Sequence, residues 1–298
     1  MTTTTVDRYR LGDKTVWRVG YGAMQLAGDG VYGPPRDRDE AVAVLRAALD
    51  AGVDHIDTAQ YYGPGVVNSL IREALFPYPD GLALVSKVAA RRDDHGGVVP
   101  HDDPDQLRAG IEENLATLGV EQLTAVNLRV LDNAVPDQRF VEQLGALAAA
   151  RDEGLIAGVG ISNVTHRHLL MALEITDVVC VQNAYNLADR SSEPVLNECT
   201  ARNIPFVPFC PLGWPKKQHD TIQTNPTVTG VADGHGATPA QVALAWLLAI
   251  ADNVLLIPGT RSRGHLAENL AAGSLSLRED EVASLTAAFN KTQASPSH

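Results

Sequence analysis

The chain has 298 residues, 45% of them hydrophobic, and a formal net charge of −12. This length and apolar content allow a large buried core, so the chain is predicted to be globular rather than disordered. No apolar run approaches the roughly 18 residues that a membrane span needs, and the threonine-rich start does not resemble a signal peptide. The 24 basic residues are scattered, which argues against a nucleic-acid or membrane-surface partner.

Only three cysteines occur, Cys180, Cys199 and Cys210, with no CxxC pair among them. An odd and small number in a chain this long excludes a disulfide scaffold. Such cysteine usage is typical of a reducing compartment, so a cytoplasmic location is expected. Nothing in the sequence indicates an oligomeric state.

Strand and helix patterns alternate along the chain. Short apolar runs with β-branched residues predict eight buried strands, which are Val19–Gly22, Val53–Asp57, Leu82–Val88, Ala125–Val130, Ile156–Ile161, Val178–Gln182, Ile204–Pro208 and Val254–Ile257. A 3.6-residue period predicts one helix after each strand, over Asp39–Ala51, Val66–Leu75, Pro104–Leu118, Asp137–Glu153, His166–Glu174, Glu193–Arg202, Pro239–Ile250 and Arg263–Ala271.

Eight strand-then-helix units in this length predict a single α/β domain over residues 1–298, a (β/α)₈ or TIM barrel. A hairpin within residues 1–18 would cap its N-terminal end, Arg278–Phe289 would add a helix, and residues 290–298 would form a flexible tail. A doubly wound open sheet is the alternative. It would normally carry a glycine-rich dinucleotide turn, and the nearest candidate, Gly158-Val-Gly160, lacks the third glycine.

Two opposite charges occur inside apolar strands. Asp57 ends the second predicted strand, and Lys87 lies near the end of the third. In a (β/α)₈ barrel the active site lies at these carboxyl ends. Buried charges are costly unless paired, so Asp57 and Lys87 are predicted to pair with each other. The pair could be purely structural or part of a catalytic centre.

Tyr62 follows Asp57 by five residues, on the loop above the same strand. A nearby cation stabilises a phenolate and lowers the pKa of a tyrosine. If Lys87 lies beside it, Tyr62 is predicted to have a lowered pKa and to act as a general acid. Taken alone, Tyr62 is better interpreted as an ordinary loop aromatic.

The chain resembles the aldo-keto reductase family through six motifs in series. They are His55-Ile-Asp-Thr-Ala-Gln-Tyr-Tyr-Gly63, Ser86-Lys87, Gly160-Ile-Ser-Asn163, Gln182-Asn-Ala-Tyr-Asn186, Phe206-Val-Pro-Phe-Cys-Pro-Leu-Gly213, and Ile257-Pro-Gly-Thr260 followed by Leu266-Ala-Glu-Asn-Leu270. The resemblance implies a barrel enzyme that reduces an aldehyde or ketone, a small-molecule carbonyl substrate, with NADPH as cofactor. Tyr62 would be the proton donor, Lys87 its cationic neighbour, and Asp57 the anchor of Lys87.

The same resemblance implies a cofactor site. Ser162, Asn163 and Gln182 would hold the nicotinamide carboxamide, and Phe209 would stack on the ring in place of the usual tyrosine. The other implied cofactor contacts are Gly22, Ala23, Met24, Asp57, Cys210, Pro211, Leu212, Gly213, Ile257, Gly259, Thr260, Arg261, Arg263, His265, Glu268 and Asn269.

Arg129 departs from the family pattern, because it occupies the position of the usual fourth catalytic residue, a histidine. Arginine stays protonated, so it can donate a hydrogen bond to a substrate oxygen but cannot titrate. A structural ion-pair role at the barrel mouth is the alternative.

The 2′-phosphate segment reads Gly259-Thr-Arg-Ser-Arg-Gly-His265. Arg261 and Arg263 beside a helix N-terminus favour NADPH over NADH. His265 replaces the family's usual arginine, which should weaken this preference without reversing it.

The chain resembles a bacterial branch of this family that includes pyridoxal reductases, through Gly20–Gly28, Gly33–Arg38 and Val126–Val130. Pyridoxal is therefore the expected substrate. An NADPH-binding accessory subunit and a non-redox barrel isomerase or lyase are the alternative functions.

A loop after the third strand superficially resembles a metal site, with His95, His101, Asp102 and Asp103. These residues lack a fixed ligand spacing, so a solvated loop and no metal are expected. The adjacent Arg91 and Arg92 could bind an anionic substrate group or serve at the surface.

Overall fold

A computed structural model describes residues 7–132 and 136–289. The chain opens with an antiparallel hairpin of β1 (Arg8–Leu11) and β2 (Lys14–Trp17), which turns at Gly12. The inward side chains Leu11 and Val16 are buried in one cluster with Ala83 and Ala125. The hairpin therefore closes the N-terminal end of the barrel, as predicted, while residues 1–6 and the predicted tail at 290–298 lie outside the described residues.

The next strands are β3 (Tyr21–Gly22), β4 (His55–Asp57), β5 (Ala83–Arg92), β6 (Val98–His101), β7 (Ala125–Arg129), β8 (Val159–Ser162) and β9 (Val178–Gln182). All except β6 run parallel in the order β3-β4-β5-β7-β8-β9. Single parallel bridges, Val181 to Phe206, Phe206 to Val254 and Val19 to Leu256, close the ring. The barrel prediction is confirmed.

Two predicted strands differ in detail. The segments Ile204–Pro208 and Val254–Ile257 do occupy the seventh and eighth positions of the barrel. They pair with their neighbours at single bridges rather than as continuous ladders. A parallel sheet buried on both faces tolerates such short pairing, because packing of its apolar side chains supplies most of the stability.

The helices are α1 (Arg38–Asp50), α2 (Val66–Leu75), α3 (Pro104–Leu118), α4 (Gln138–Asp152), α5 (His166–Ile175), α6 (Glu193–Ala201), α7 (Lys216–Gln223), α8 (Pro226–His235), α9 (Pro239–Ile250), α10 (Arg263–Ala271) and α11 (Glu279–Ala288). Local capping explains several sharp starts. Asp103 and Thr238 each form a capping box just before a proline at the first helical position. Within the described residues, no helix is long and apolar enough to cross a membrane.

Among the described α-helices and strands, α7, α8 and β6 were not predicted. Helix α7 is mostly polar and buries only Ile222, so its sequence lacks an apolar stripe. Helix α8 contains Gly230 and Gly234, which are poor helix formers. Strand β5 extends to Arg92 and forms a second hairpin with β6, where a solvated loop was expected.

Glycines in the barrel strands make room for two buried polar side chains. A Cβ added at Gly20 would lie 2.2 Å from Nε2 of His55, and one at Gly160 would lie 2.2 Å from Oδ1 of Asn127. Such separations are far below van der Waals contact, so neither position tolerates a side chain without movement. The interior beneath the mouth is therefore packed by His55 and Asn127 rather than left empty.

We expect Gly20→Ala to lower the free energy of unfolding by about 1–3 kcal/mol, because the added methyl group would overpack the rigid interior around the imidazole of His55. The matched control is Gly145→Ala on α4, where a Cβ meets nothing within 4 Å; it should be neutral or stabilise slightly. Urea unfolding of both variants measures the difference. Equal stability of the two variants would contradict the packing described for Gly20.

Candidate active site

The predicted pair of opposite charges forms at the carboxyl ends of β4 and β5. Lys87 Nζ contacts Asp57 Oδ1 and donates a further hydrogen bond to the carbonyl oxygen of Thr58 at 3.0 Å. Asp57 is 4% exposed and Lys87 3%. The second carboxylate oxygen of Asp57 accepts a hydrogen bond from Gln182 Nε2 at 2.8 Å. Both oxygens of this buried carboxylate therefore have partners.

Behind the sheet, two buried asparagines fix the residues next to this pair. Asn68 on α2 accepts a hydrogen bond from the hydroxyl of Thr58 at 2.7 Å. Asn114 on α3 accepts one from the hydroxyl of Ser86 at 2.5 Å and another from the Asn68 amide at 2.9 Å. This network was not predicted from the sequence. The sequence does contain a signal for it, which is one asparagine on the apolar face of each helix. A buried polar group of this kind needs a hydrogen-bond partner.

Tyr62 lies against the charged pair. Lys87 Nζ is 5.1 Å from the centroid of its ring, and Tyr61 packs edge-on at a centroid distance of 5.2 Å. Burial is the main cause that raises the pKa of Tyr62, and Asp57 raises it further, while Arg129 lowers it. The expectation of a lowered pKa is therefore wrong for this structure. Because Asp57 neutralises Lys87, the cation does not offset the cost of burying a phenolate, and Tyr62 stays protonated at neutral pH.

The predicted carboxamide-binding trio also converges on the mouth of the barrel. Gln182 uses its amide nitrogen on Asp57, and its buried Oε1 has no hydrogen-bond partner among the described residues. Asn163 has a left-handed backbone, φ 59°, and its side-chain amide donates to the carbonyl of Val130 at 2.7 Å. Ser162 lies at the end of β8, next to Arg129 on β7 in the sheet register. The site thus offers an unused buried acceptor, which suits a primary amide donor.

Arg129 lies across the mouth of the barrel. Its Nη1 donates to the hydroxyl of Ser162 at 3.1 Å, and its Cζ is 4.7 Å from the centroid of the Phe209 ring. Within residues 7–132 and 136–289, no carboxylate forms an ion pair with it. The structure therefore does not show the ion pair that the structural alternative required.

The loop after the seventh barrel position is held by Asn186 and Gln218, for which no role was predicted from the sequence. Asn186 donates to the carbonyl of Cys210 at 3.1 Å, and Gln218 accepts from the backbone N–H of Trp214 at 2.9 Å. Asn186 also donates to Gln218 at 3.3 Å. These contacts fix the segment that carries Phe209, Cys210, Pro211, Leu212 and Gly213. Cys210 is a free thiol with φ 51°, and burial raises its pKa.

The last predicted cofactor segment packs against the first strand. A Cβ at Gly22 would lie 2.4 Å from the carbonyl oxygen of Ile257, and one at Gly259 would lie 2.6 Å from that of Gly22. The hydroxyl of Tyr21 donates to the carbonyl of Thr260 at 2.5 Å. Close backbone approach thus sets the start of this segment, beside the 3₁₀ turn that begins with Ala23 and Met24.

Helix α10 begins just beyond, with Ser262 as its N-cap. The two arginines of the segment meet carboxylates from the start of the chain. Arg263 lies 3.1 Å from Glu40, and Arg261 lies 3.9 Å from Asp29. Both arginine side chains are more than half exposed. The remaining predicted residues also lie on α10, with His265 and Glu268 exposed and Asn269 buried.

Arg92 joins three loops at the mouth. It donates to the carbonyl oxygens of Gly96 at 2.7 Å, Gly30 at 3.3 Å and Tyr61 at 3.4 Å. Its role in the structure is therefore to hold the hairpin of β5 and β6 against the loops that carry Gly30 and Tyr61. An anion-binding role for Arg92 receives no support from these contacts.

The candidate metal residues are dispersed. His101 belongs to β6, Asp102 pairs with Arg139 at 2.5 Å, and Asp103 caps α3. No group of three metal-ligating side chains occurs in the part of the chain that the structure describes.

Known proteins share this architecture. The model of the aldo/keto reductase family matches residues 18–290. Pyridoxine 4-dehydrogenase of Escherichia coli is 47% identical over 280 residues, which cover 93% of this chain and 96% of that protein. A solved aldo/keto reductase of Klebsiella pneumoniae, in complex with NADP and acetate, is 27% identical with a TM-score of 0.80, over 95% of both chains. A thermostable aldo-keto reductase in complex with the inhibitor epalrestat is 30% identical with a TM-score of 0.79, over 94% of this chain and 99% of that one.

The fold and the site define an oxidoreductase, which is built on a (β/α)₈ barrel with a tyrosine, a lysine and an aspartate at its mouth. It belongs to the aldo/keto reductase family. The resemblance carried by the six sequence motifs is confirmed.

We expect Lys87→Met to lower the free energy of unfolding by about 3–5 kcal/mol, because it leaves the buried Asp57 carboxylate without its cation. Adding Asp57→Asn should recover much of this loss, since the amide can still accept the Gln182 hydrogen bond and no lone charge remains. Urea unfolding of both variants at neutral pH tests the pair. A double variant no more stable than Lys87→Met would show that the charge of Asp57 is not the cause.

Proposed function

We propose that this protein is an NADPH-dependent reductase of aldehydes or ketones, with Tyr62 as proton donor and pyridoxal as a candidate substrate. The observation that carries the proposal is the buried Asp57–Lys87 pair against the ring of Tyr62. A phenol that stays protonated at neutral pH, beside a neutralised cation, is suited to give its proton to a strongly basic oxyanion.

The residues at the mouth fit a nicotinamide. The unpartnered Oε1 of Gln182 can accept a hydrogen bond from the carboxamide nitrogen, and the Ser162 hydroxyl can donate to its oxygen. Phe209 presents a flat ring to the same space. The bound cofactor would supply a hydride to the carbonyl carbon of the substrate.

The chain's own chemistry is then proton transfer. As the substrate oxygen gains negative charge, the O–H bond of Tyr62 breaks and the proton passes to that oxygen. The resulting phenolate faces Lys87, whose charge is shared with Asp57. An alkoxide is a stronger base than a phenolate, so a raised pKa of Tyr62 does not prevent this transfer. Arg129 supplies a second, always charged donor at the same mouth.

Pyridoxal is supported by similarity. The Escherichia coli relative is named a pyridoxine 4-dehydrogenase, and oxidation of the 4-hydroxymethyl group of pyridoxine is the reverse of pyridoxal reduction. An accessory role with little turnover would not require the complete set of Asp57, Tyr62 and Lys87, and a non-redox lyase would not require an open carboxamide acceptor.

The free cysteines favour a cytoplasmic location, because free thiols are typical of a reducing compartment.

The test is reduction of pyridoxal by NADPH, followed as loss of cofactor absorbance. Tyr62→Phe should lower kcat at least about 10²-fold while NADPH still binds, because only the proton donor is removed. Tyr61→Phe is the matched control, since it removes a hydroxyl from the neighbouring ring and should retain turnover.

Each outcome identifies what fails. Full activity of Tyr62→Phe would remove the proton-donor assignment. Activity on simple aldehydes without activity on pyridoxal would remove only the substrate. Absence of NADPH binding by the unmodified chain would remove the whole proposal.

We further expect tighter binding of NADPH than of NADH, with the difference arising at Arg261 and Arg263. The preference should be modest, because both arginines already pair with carboxylates and His265 adds no fixed charge. An Arg261→Ala/Arg263→Ala double variant should weaken NADPH binding and leave NADH binding nearly unchanged. Fluorescence titration gives the four dissociation constants, and equal affinities in the unmodified chain would contradict the preference.

A further inference from the structure

Arg129 contacts two of the residues that are proposed to bind a nicotinamide. Its guanidinium lies over the face of Phe209, where the nicotinamide ring is proposed to stack, and it donates to the hydroxyl of Ser162, which is proposed to bind the carboxamide. A guanidinium is planar and carries N–H donors at its edge, as a nicotinamide carboxamide does. The side chain therefore resembles the cofactor head group in its flat shape, and it engages the same hydroxyl of Ser162 that is proposed for the carboxamide.

The path of the side chain places it in the same space. Arg129 ends β7, and Ser162 ends the adjacent strand β8 in register with it. Phe209 follows the seventh barrel position, beyond β9, and pairs with Ala184. To reach from β7 to Phe209, the guanidinium must cross the mouth above Ser162, which is the region where the carboxamide residues converge.

The charge is held there by neutral partners only. Among the described residues, Arg129 contacts a hydroxyl and an aromatic ring, and no carboxylate fixes it in place. Contacts of this kind stabilise a position only modestly, so a competing group of matching shape can replace them.

We infer that Arg129 occupies the proposed nicotinamide site, at Phe209 and Ser162, when the cofactor is absent. Cofactor binding must then displace the arginine side chain toward the substrate side of the mouth. This inference rests on the proposed function and adds a role for the residue that replaces the family's histidine. Arg129 is then a competitor of the cofactor before binding and a free cation near Tyr62 afterwards.

The experiment compares two ligands by isothermal titration calorimetry. One is NADPH, and the other is 2′-phosphoadenosine-5′-diphosphoribose, which has the same phosphates but no nicotinamide. Loss of one positive charge changes the affinity for both ligands, so the informative quantity is the ratio of their Kd values. Arg129→Ala should shift this ratio about tenfold in favour of NADPH, since the competing cation–π contact and hydrogen bond are removed.

Arg129→Met is the second variant, because it fills a similar volume without charge and guards against collapse of the site. It should shift the ratio in the same direction. An unchanged ratio of Kd values in both variants, or a shift against NADPH, would overturn the inference. It would show that Arg129 does not compete with the cofactor for the nicotinamide site. Failure of the unmodified chain to bind either ligand would instead contradict the proposed function, and with it the proposed nicotinamide site.

Discussion

The buried ion pair between Asp57 and Lys87 is the constraint on which the site depends. Two charges in a dry interior are stable only if each is compensated and every remaining lone pair or proton has a partner. Here Lys87 also binds a backbone carbonyl, and Asp57 also binds Gln182. The amide of Gln182 is thereby oriented so that its oxygen has no partner among the described residues. One pair thus fixes both the cation beside Tyr62 and the acceptor that is proposed for a cofactor.

Support for this pair comes from outside the barrel as well as from within it. The asparagines of α2 and α3 hold Thr58 and Ser86, the residues adjacent in sequence to Asp57 and Lys87. Inside, glycines admit His55 and Asn127 as a packed polar layer below the mouth. A rigid layer beneath and a hydrogen-bonded network behind leave the two charged side chains little freedom, which is the condition for a preorganised acid site.

Sequence patterns predicted most of this arrangement where one physical rule decides the outcome. A charge in an apolar strand must be paired, so the sequence alone was enough to match Asp57 with Lys87. The helices α2, α3, α9 and α10 begin and end at the predicted residues, and caps at Asp103 and Thr238 explain the starts of α3 and α9. Prediction failed where tertiary contacts decide. The polar helix α7 and the orientation of Arg129 depend on neighbours distant in sequence. The hairpin of β5 and β6 is a local pairing, but its charged and polar residues were interpreted as a solvated loop.

The pKa of Tyr62 shows the same limit. The motifs bring a lysine close to a tyrosine and predict a lower pKa, because a cation favours a phenolate. The structure adds two facts that reverse the sign, since the lysine is already neutralised and the ring is buried. Proximity of charges can be inferred from motifs, but the balance between attraction and desolvation requires the burial of each group.

Binding an anionic cofactor to a chain of net charge −12 poses an electrostatic problem. At the proposed 2′-phosphate segment, the positive groups that oppose this charge are held by carboxylates, Arg261 near Asp29 and Arg263 near Glu40. Exposed pairs of this kind contribute little to stability, because water screens the charges. Exchanging a carboxylate for a phosphate therefore costs little, while the arginines stay near their working positions. Arg129 is likewise held by weak contacts, in its case with a hydroxyl group and an aromatic ring. All three arginines are therefore positioned near the site by contacts that a bound cofactor can replace.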